Sequence, residues 1–145
     1  MEPQKTYDLR RFIDAQMEVY AQALAELKAG HKQTHWMWYI FPQLAGLGSS
    51  ATAQYYAIAD LEEARQYLAH PLLSVRLSAC CAALLALPGS DITAVLGHPD
   101  DLKLCSSMTL FEQAANGAGI FAAVLEKFYA GKRDNLTHEL LEKGK

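Results

Sequence analysis

The sequence predicts an all-α protein, a single compact multihelical domain of about seven or eight helices. Three observations carry this. Leucine and alanine, both strong helix formers, dominate the 145 residues, while Val, Ile and Thr are scattered. No segment sustains the period-2 alternation, bounded by turn residues, that marks a half-buried strand. Caps, prolines and glycines instead punctuate apolar runs at helical spacing.

Asp8 is placed to cap a first helix in which Leu9, Phe12, Ile13, Tyr20, Leu24 and Leu27 recur at helical spacing. Gly30 ends it after Lys28. Residues 33–42 then form a short, strongly aromatic segment bounded by Pro42, and residues 43–50, with Gly46, Gly48 and two serines, read as a loop. A helical stretch follows from about Ala51 to Ala57. Asp60, with Glu63 three residues on, is a capping-box start for a helix over Leu61 to Ala69. His70-Pro71 breaks that helix and opens the next, with proline at its first position. That next helix is apolar on most sides and reads as the central, largely buried one, closed by Pro88-Gly89. Short helices are expected over Ile92 to Leu96 and Asp134 to Leu141, with longer ones from Pro99 to Ala115 and from Ile120 to Tyr129. No repeat or linker divides the chain, so one domain spans 1–145 with its core over roughly 9–141.

Composition excludes several classes. A hydrophobic fraction of 51% is too high for a disordered chain. No apolar run approaches the ~18–20 residues of a membrane-spanning helix. The start, Met1 to Lys5, lacks the apolar core of a leader peptide. A net charge of −3 argues against a protein built to bind nucleic acid. Cys80, Cys81 and Cys105 have neither disulfide nor metal spacing, so they read as reduced thiols in a cytoplasmic protein. No metal and no cofactor is expected.

Residue chemistry singles out two stretches. Both tryptophans, Trp36 and Trp38, lie beside His35, Tyr39 and Phe41, with Lys28, His31 and Lys32 just upstream. Such a cluster serves either to stack a flat ligand while the cations meet its charge, or to pin an ordinary core. His31 and His35 have an i, i+4 spacing used by metal sites, but Gly30 interrupts the helix and no third ligand follows. The second stretch is Asp101 to Phe111. Pro99-Asp100-Asp101-Leu102-Lys103 is similar to a metal-dependent nuclease signature, but its acids and lysine are contiguous and helical, which rejects that chemistry. Asp100 and Asp101 also suit the first turn of a helix. Ser106, Ser107 and Thr109 are unusual in a helix interior, where they either bond back to a carbonyl or serve a site. Ser49 and Ser50, after two glycines, have the makings of an anion-binding turn. Arg76, inside an apolar helix, needs a carboxylate or a ligand.

Four segments, Leu9 to Gln16, Lys32-Gln33-Thr34-His35-Trp36-Met37-Trp38-Tyr39-Ile40-Phe41-Pro42-Gln43, Leu68 to Leu73 and Asp101 to Phe111, together resemble the DUF1810 family. The similarity runs from about Leu9 to Leu141. It implies a compact all-α fold and no particular activity. Some members carry a calpastatin label, yet this compact, apolar chain is unlike that long, disordered inhibitor. The positions matching the family motifs are Lys32, His35, Trp36, Trp38, Gln43, Arg76, Lys103, Ser107 and Thr109.

The leading expectation is a pocket for a small anionic or nucleotide-like ligand, built from these nine residues. Trp36 or Trp38 would stack on it, Lys32, Arg76 or Lys103 would neutralise its charge, and His35 and Gln43 would make polar contacts. Catalysis by His35 with Asp101 is a further option without a motif behind it. The alternatives are a non-enzymatic protein-interaction module using the aromatic patch, and a purely structural role for the motifs.

Overall fold

The computed structural model describes residues 7–117 and 119–144. The Met1 to Lys5 start read for a leader lies outside the described residues. Ten helices and no strand are present among the described residues: α1 (Arg10–Met17), α2 (Tyr20–Ala29), α3 (Met37–Ile40), α4 (Ala51–Tyr55), α5 (Leu61–Ala69), α6 (Pro71–Leu85), α7 (Ile92–Leu96), α8 (Asp100–Ala114), α9 (Ile120–Tyr129) and α10 (Asn135–Lys143). Seven or eight helices were expected. The excess arises because the first helix is two, broken at Glu18 and Val19, and because the aromatic segment contains the single turn α3.

The caps follow the sequence closely. Asp8 accepts from the Arg10 N–H, and Asp60 accepts from the Glu63 N–H at 2.9 Å while Glu63 takes the Ala59 N–H at 2.7 Å. His70 ends α5 and starts α6, its Nδ1 accepting from Leu72 and Leu73, and the two helices bend by 92° there. Asp91 and Asp134 cap α7 and α10. Among the described residues no single helix is long and apolar enough to cross a membrane.

The expectation that α6 is the central helix needs correction. Leu72 and Val75 on α6 face solvent, whereas α8 is enclosed along most of its length, from Leu104 through Ala114. It packs against α5, α7, α9 and α10, while α6 lies against α1, α2, α5 and α9. Composition misleads here because α8 buries Ser106, Ser107, Thr109 and Glu112 along with its hydrophobes. Thr109 shows how. Its hydroxyl donates to the Cys105 carbonyl at 2.8 Å and accepts the Asp134 N–H at 2.9 Å, tying the cap of α10 to α8. Arg133 makes a two-pronged pair with Glu112 beside it. The three thiols are free; burial pushes Cys80 up to about 12 and Cys105 to about 11, so both stay protonated and unreactive at neutral pH.

Candidate functional site

The aromatic segment is positioned by a glycine and a carboxylate. Gly30 adopts a left-handed conformation (φ 74°) at the end of α2. The His31 N–H then returns to the Glu26 carbonyl and the Gly30 N–H to that of Leu27, the paired closure that reverses a chain after a helix. The reversed strand of chain runs back past the Glu26 side chain. Glu26 accepts the backbone N–H groups of Gln33 (2.8 Å) and Thr34 (3.0 Å), the Thr34 hydroxyl (2.7 Å), the Gln22 amide (2.9 Å) and the Trp36 indole N–H (2.9 Å). Burial alone would raise its carboxyl. These donors outweigh burial and hold it well below the usual carboxylate range. The Lys32 N–H adds a 2.7 Å bond to the Val95 carbonyl of α7.

This arrangement separates the two tryptophans. Trp36 is fully buried and tilted against Phe41, so it is a core residue and not a stacking surface for a ligand. Trp38 is half-buried and borders two concavities.

The first is a groove of about 400 Å³ between the loop at 43–50, the start of α8 and the start of α10. Trp38, Gln43, Ser49, Ser50, Lys103 and Ser106 contribute its polar and aromatic lining, and Leu47, Leu102 and Leu136 its apolar part. Lys103 Nζ stands 5.5 Å from the centre of the Trp38 ring and 3.6 Å from Asp100 Oδ1. The other oxygen of Asp100 pairs with Lys32 Nζ at 2.9 Å, and that lysine lies 5.1 Å from the Trp36 ring. One carboxylate therefore serves two lysines, each over its own indole. Asp134 also borders the groove, its carboxylate accepting from the Ser106 hydroxyl at 3.0 Å and from the Thr137 N–H at 3.1 Å.

The second concavity, about 560 Å³ and more open, is lined by His35, Trp38, Tyr39, Thr52, Tyr55 and Tyr56 among others. His35 is exposed there.

The nine predicted ligand residues thus divide. Trp38, Gln43 and Lys103 meet in the groove, Lys32 reaches its edge only through Asp100, and His35 belongs to the neighbouring hollow. The others stand elsewhere. Arg76 lies outside both concavities: it donates to Gln16 Oε1 at 3.3 Å and lies over the Tyr20 ring at 5.2 Å. Ser107 is enclosed in α8, its hydroxyl without a hydrogen-bond partner among the described residues. Thr109 is the α8–α10 tie already described.

The pairing of His35 with Asp101 is also corrected. Asp101 is engaged by His98 Nδ1 (2.9 Å), the Thr93 hydroxyl (2.7 Å) and the Leu102 N–H (2.9 Å). Against the opposing effect of burial, those bonds lower its carboxyl below the ordinary value. It braces α7 against α8, and Tyr129 donates to its carbonyl from α9. Likewise, His31 and His35 both fall in the connection between α2 and α3, so helical i, i+4 geometry does not apply to them. Ser50 caps the short α4 by accepting from Ala53 N–H, which accounts for the serines after the glycines.

Sequence reasoning passed over Glu26, Asp134, Tyr55 and Tyr56. None of the four is set apart by residue type or spacing before the chain folds.

Comparison with known proteins agrees with this architecture. No curated protein matches the chain. A solved structure, that of the conserved hypothetical protein Rv1873 from Mycobacterium tuberculosis, superposes with a TM-score of 0.92 at 50% identity, covering 94% of this chain and 97% of that one. The family model described as a protein of unknown function, DUF1810, matches residues 6–141. With nearly the whole chain matched, this protein belongs to the DUF1810 family.

Proposed function

We propose that the protein binds a small anionic, nucleotide-like ligand in the groove bordered by Trp38, Gln43 and Lys103. The observation that carries the reading is the meeting of these three side chains, distant in sequence, along one concave surface of about 400 Å³. Trp38 offers a ring for a flat group to stack on, Lys103 a charge held close to that ring, and Gln43 both a donor and an acceptor. Asp100 tempers the positive charge of Lys103 at 3.6 Å, and Asp134 adds a carboxylate already occupied by Ser106 and Thr137. The site therefore suits a singly charged group better than a polyphosphate. A cytosolic setting belongs to this reading, supported by the buried, unpaired thiols Cys80 and Cys81.

A thermal-shift panel of nucleotides and phosphorylated metabolites tests it. A ligand of this class raises the melting temperature in proportion to its affinity. Lys103→Ala then weakens that ligand by roughly tenfold, about 1.4 kcal/mol. A flat response across the panel, or a ligand indifferent to both Lys103→Ala and Trp38→Ala, excludes the groove as its site.

A further inference from the structure

We propose a second site, beside the Lys103 groove and sharing Trp38 with it: the hollow bordered by Trp38, Tyr39, Tyr55 and Tyr56 binds the methylated ammonium group of a small molecule. Four aromatic side chains converge on this one concavity. Their rings are not stacked flat. Tyr56 meets Tyr55 at 4.8 Å with planes 85° apart, and Tyr39 at 5.1 Å with planes 58° apart. Rings inclined this steeply present faces and edges in several directions along an open, shallow hollow rather than one flat plate.

The charge around the hollow defines the guest. Among the described residues neither a carboxylate nor a Lys or Arg side chain lines it, so the field inside comes chiefly from ring faces, which are negative. Such a surface holds a weakly hydrated, methylated cation, whose methyl groups also bury apolar area. An anion finds no Lys or Arg there among the described residues, although His35 and Thr52 also line the hollow. The Arg11 guanidinium, which bonds the Tyr55 backbone, is held by its partners: it donates to the Tyr55 and Ala57 carbonyls at 2.9 and 2.8 Å and pairs with Glu63 at 3.0 Å. Those bonds fix the carbonyl side of the Tyr55–Ala57 segment, and Tyr55 is 61% exposed. Tyr39 is steadied by a 3.3 Å bond from its hydroxyl to the His35 carbonyl. Burial raises the Tyr39 and Tyr56 hydroxyls, so both rings stay neutral.

Calorimetric titration at pH 8 with choline, free trimethyllysine and 3,3-dimethylbutan-1-ol tests the proposal on the full chain. The alcohol copies the shape of choline without its charge. The expected result is saturable binding of at least one of the two cations, with the alcohol weaker by roughly threefold or more. Whichever cation binds more tightly names the source of the group. Tyr55→Ala, at an exposed position, weakens that cation by roughly threefold, and Tyr55→Phe, which keeps the ring, restores it. Lys103→Ala removes a cation 5.5 Å from the shared Trp38 ring and does not weaken the affinity, so failure here and failure of the anion groove are separate outcomes. Equal binding of alcohol and cation, loss of cation binding in Lys103→Ala, or no saturable binding of either cation overturns the proposal.

Discussion

The carboxylate of Glu26 and the indole of Trp36 are joined inside the core by a 2.9 Å hydrogen bond, ten residues apart in sequence and a chain reversal apart in space. The same carboxylate gathers two backbone N–H groups from the intervening segment. It thereby sets where Trp38, two residues beyond Trp36, meets the surface.

Removing that carboxylate should be costly. Glu26→Ala leaves the Gln33 and Thr34 N–H groups and the Trp36 indole without an acceptor, and we expect a loss on the order of 3–5 kcal/mol. Urea denaturation measures it through a lowered midpoint at unchanged slope. A loss below about 1 kcal/mol means that solvent replaces these bonds.

Acid should act through the same group. Its carboxyl lies below the ordinary value of 4.5 in the folded state. The stability it contributes is therefore fully present above pH 4.5 and is lost progressively as pH falls toward the lowered folded value. Asp101, lowered from 3.8, acts in the same direction at slightly lower pH. The stability difference between the wild type and Glu26→Gln should hold level from pH 6 to about pH 4.5 and shrink steadily from there to pH 3. A constant difference over that interval contradicts the assignment.

Gly48 borders the groove where there is no room for a side chain. A Cβ at this position would stand 2.6 Å from the Cβ of Ala53, which is fixed on α4. Gly48→Ala should displace α4 from the loop and cost about 1–3 kcal/mol. Hydrogen exchange gives the local readout: faster exchange confined to residues 47–56 is expected, and exchange rates identical to wild type there count against it.

Asp100 links the two lysines, and its neutralisation should separate their roles. In Asp100→Asn the nearly buried Lys32 side chain loses its counter-charge, with an expected cost of about 1–3 kcal/mol. Lys103 is freed at the same time, and a ligand anion in the groove should bind roughly two- to fivefold more tightly at low salt. Affinity that falls in this variant would place the anion somewhere other than beside Lys103.

The sequence carried the helices because their ends are local events. Asp60 with Glu63 and His70 with Pro71 satisfy backbone groups within three residues and stood where their pattern indicated, and Asp91 and Asp134 cap in the same way the short helices expected at those places. The break at Glu18 and Val19 had no glycine or proline to mark it. Burial was harder to read. Glu26 looks like any solvent-facing acid on a helix until the chain folds back onto it, and Ser107 and Thr109 look like site residues until α8 is seen to be enclosed. Trp36 and Trp38 are equivalent as residue types. Two positions apart at the start of a helical turn, they point ~200° apart around its axis, so one enters the core and the other does not. Which one enters depends on Glu26, a contact that no local pattern encodes.

That division supplies the protein with two optical probes of different meaning. Trp36, sealed from water and bonded to a carboxylate, emits as a buried indole and changes only when the core opens. Trp38, beside Lys103 on one side and the tyrosine hollow on the other, responds to whatever occupies its surroundings. In Trp38→Phe the remaining emission tracks unfolding alone, so the difference from the wild-type spectrum isolates events at the surface.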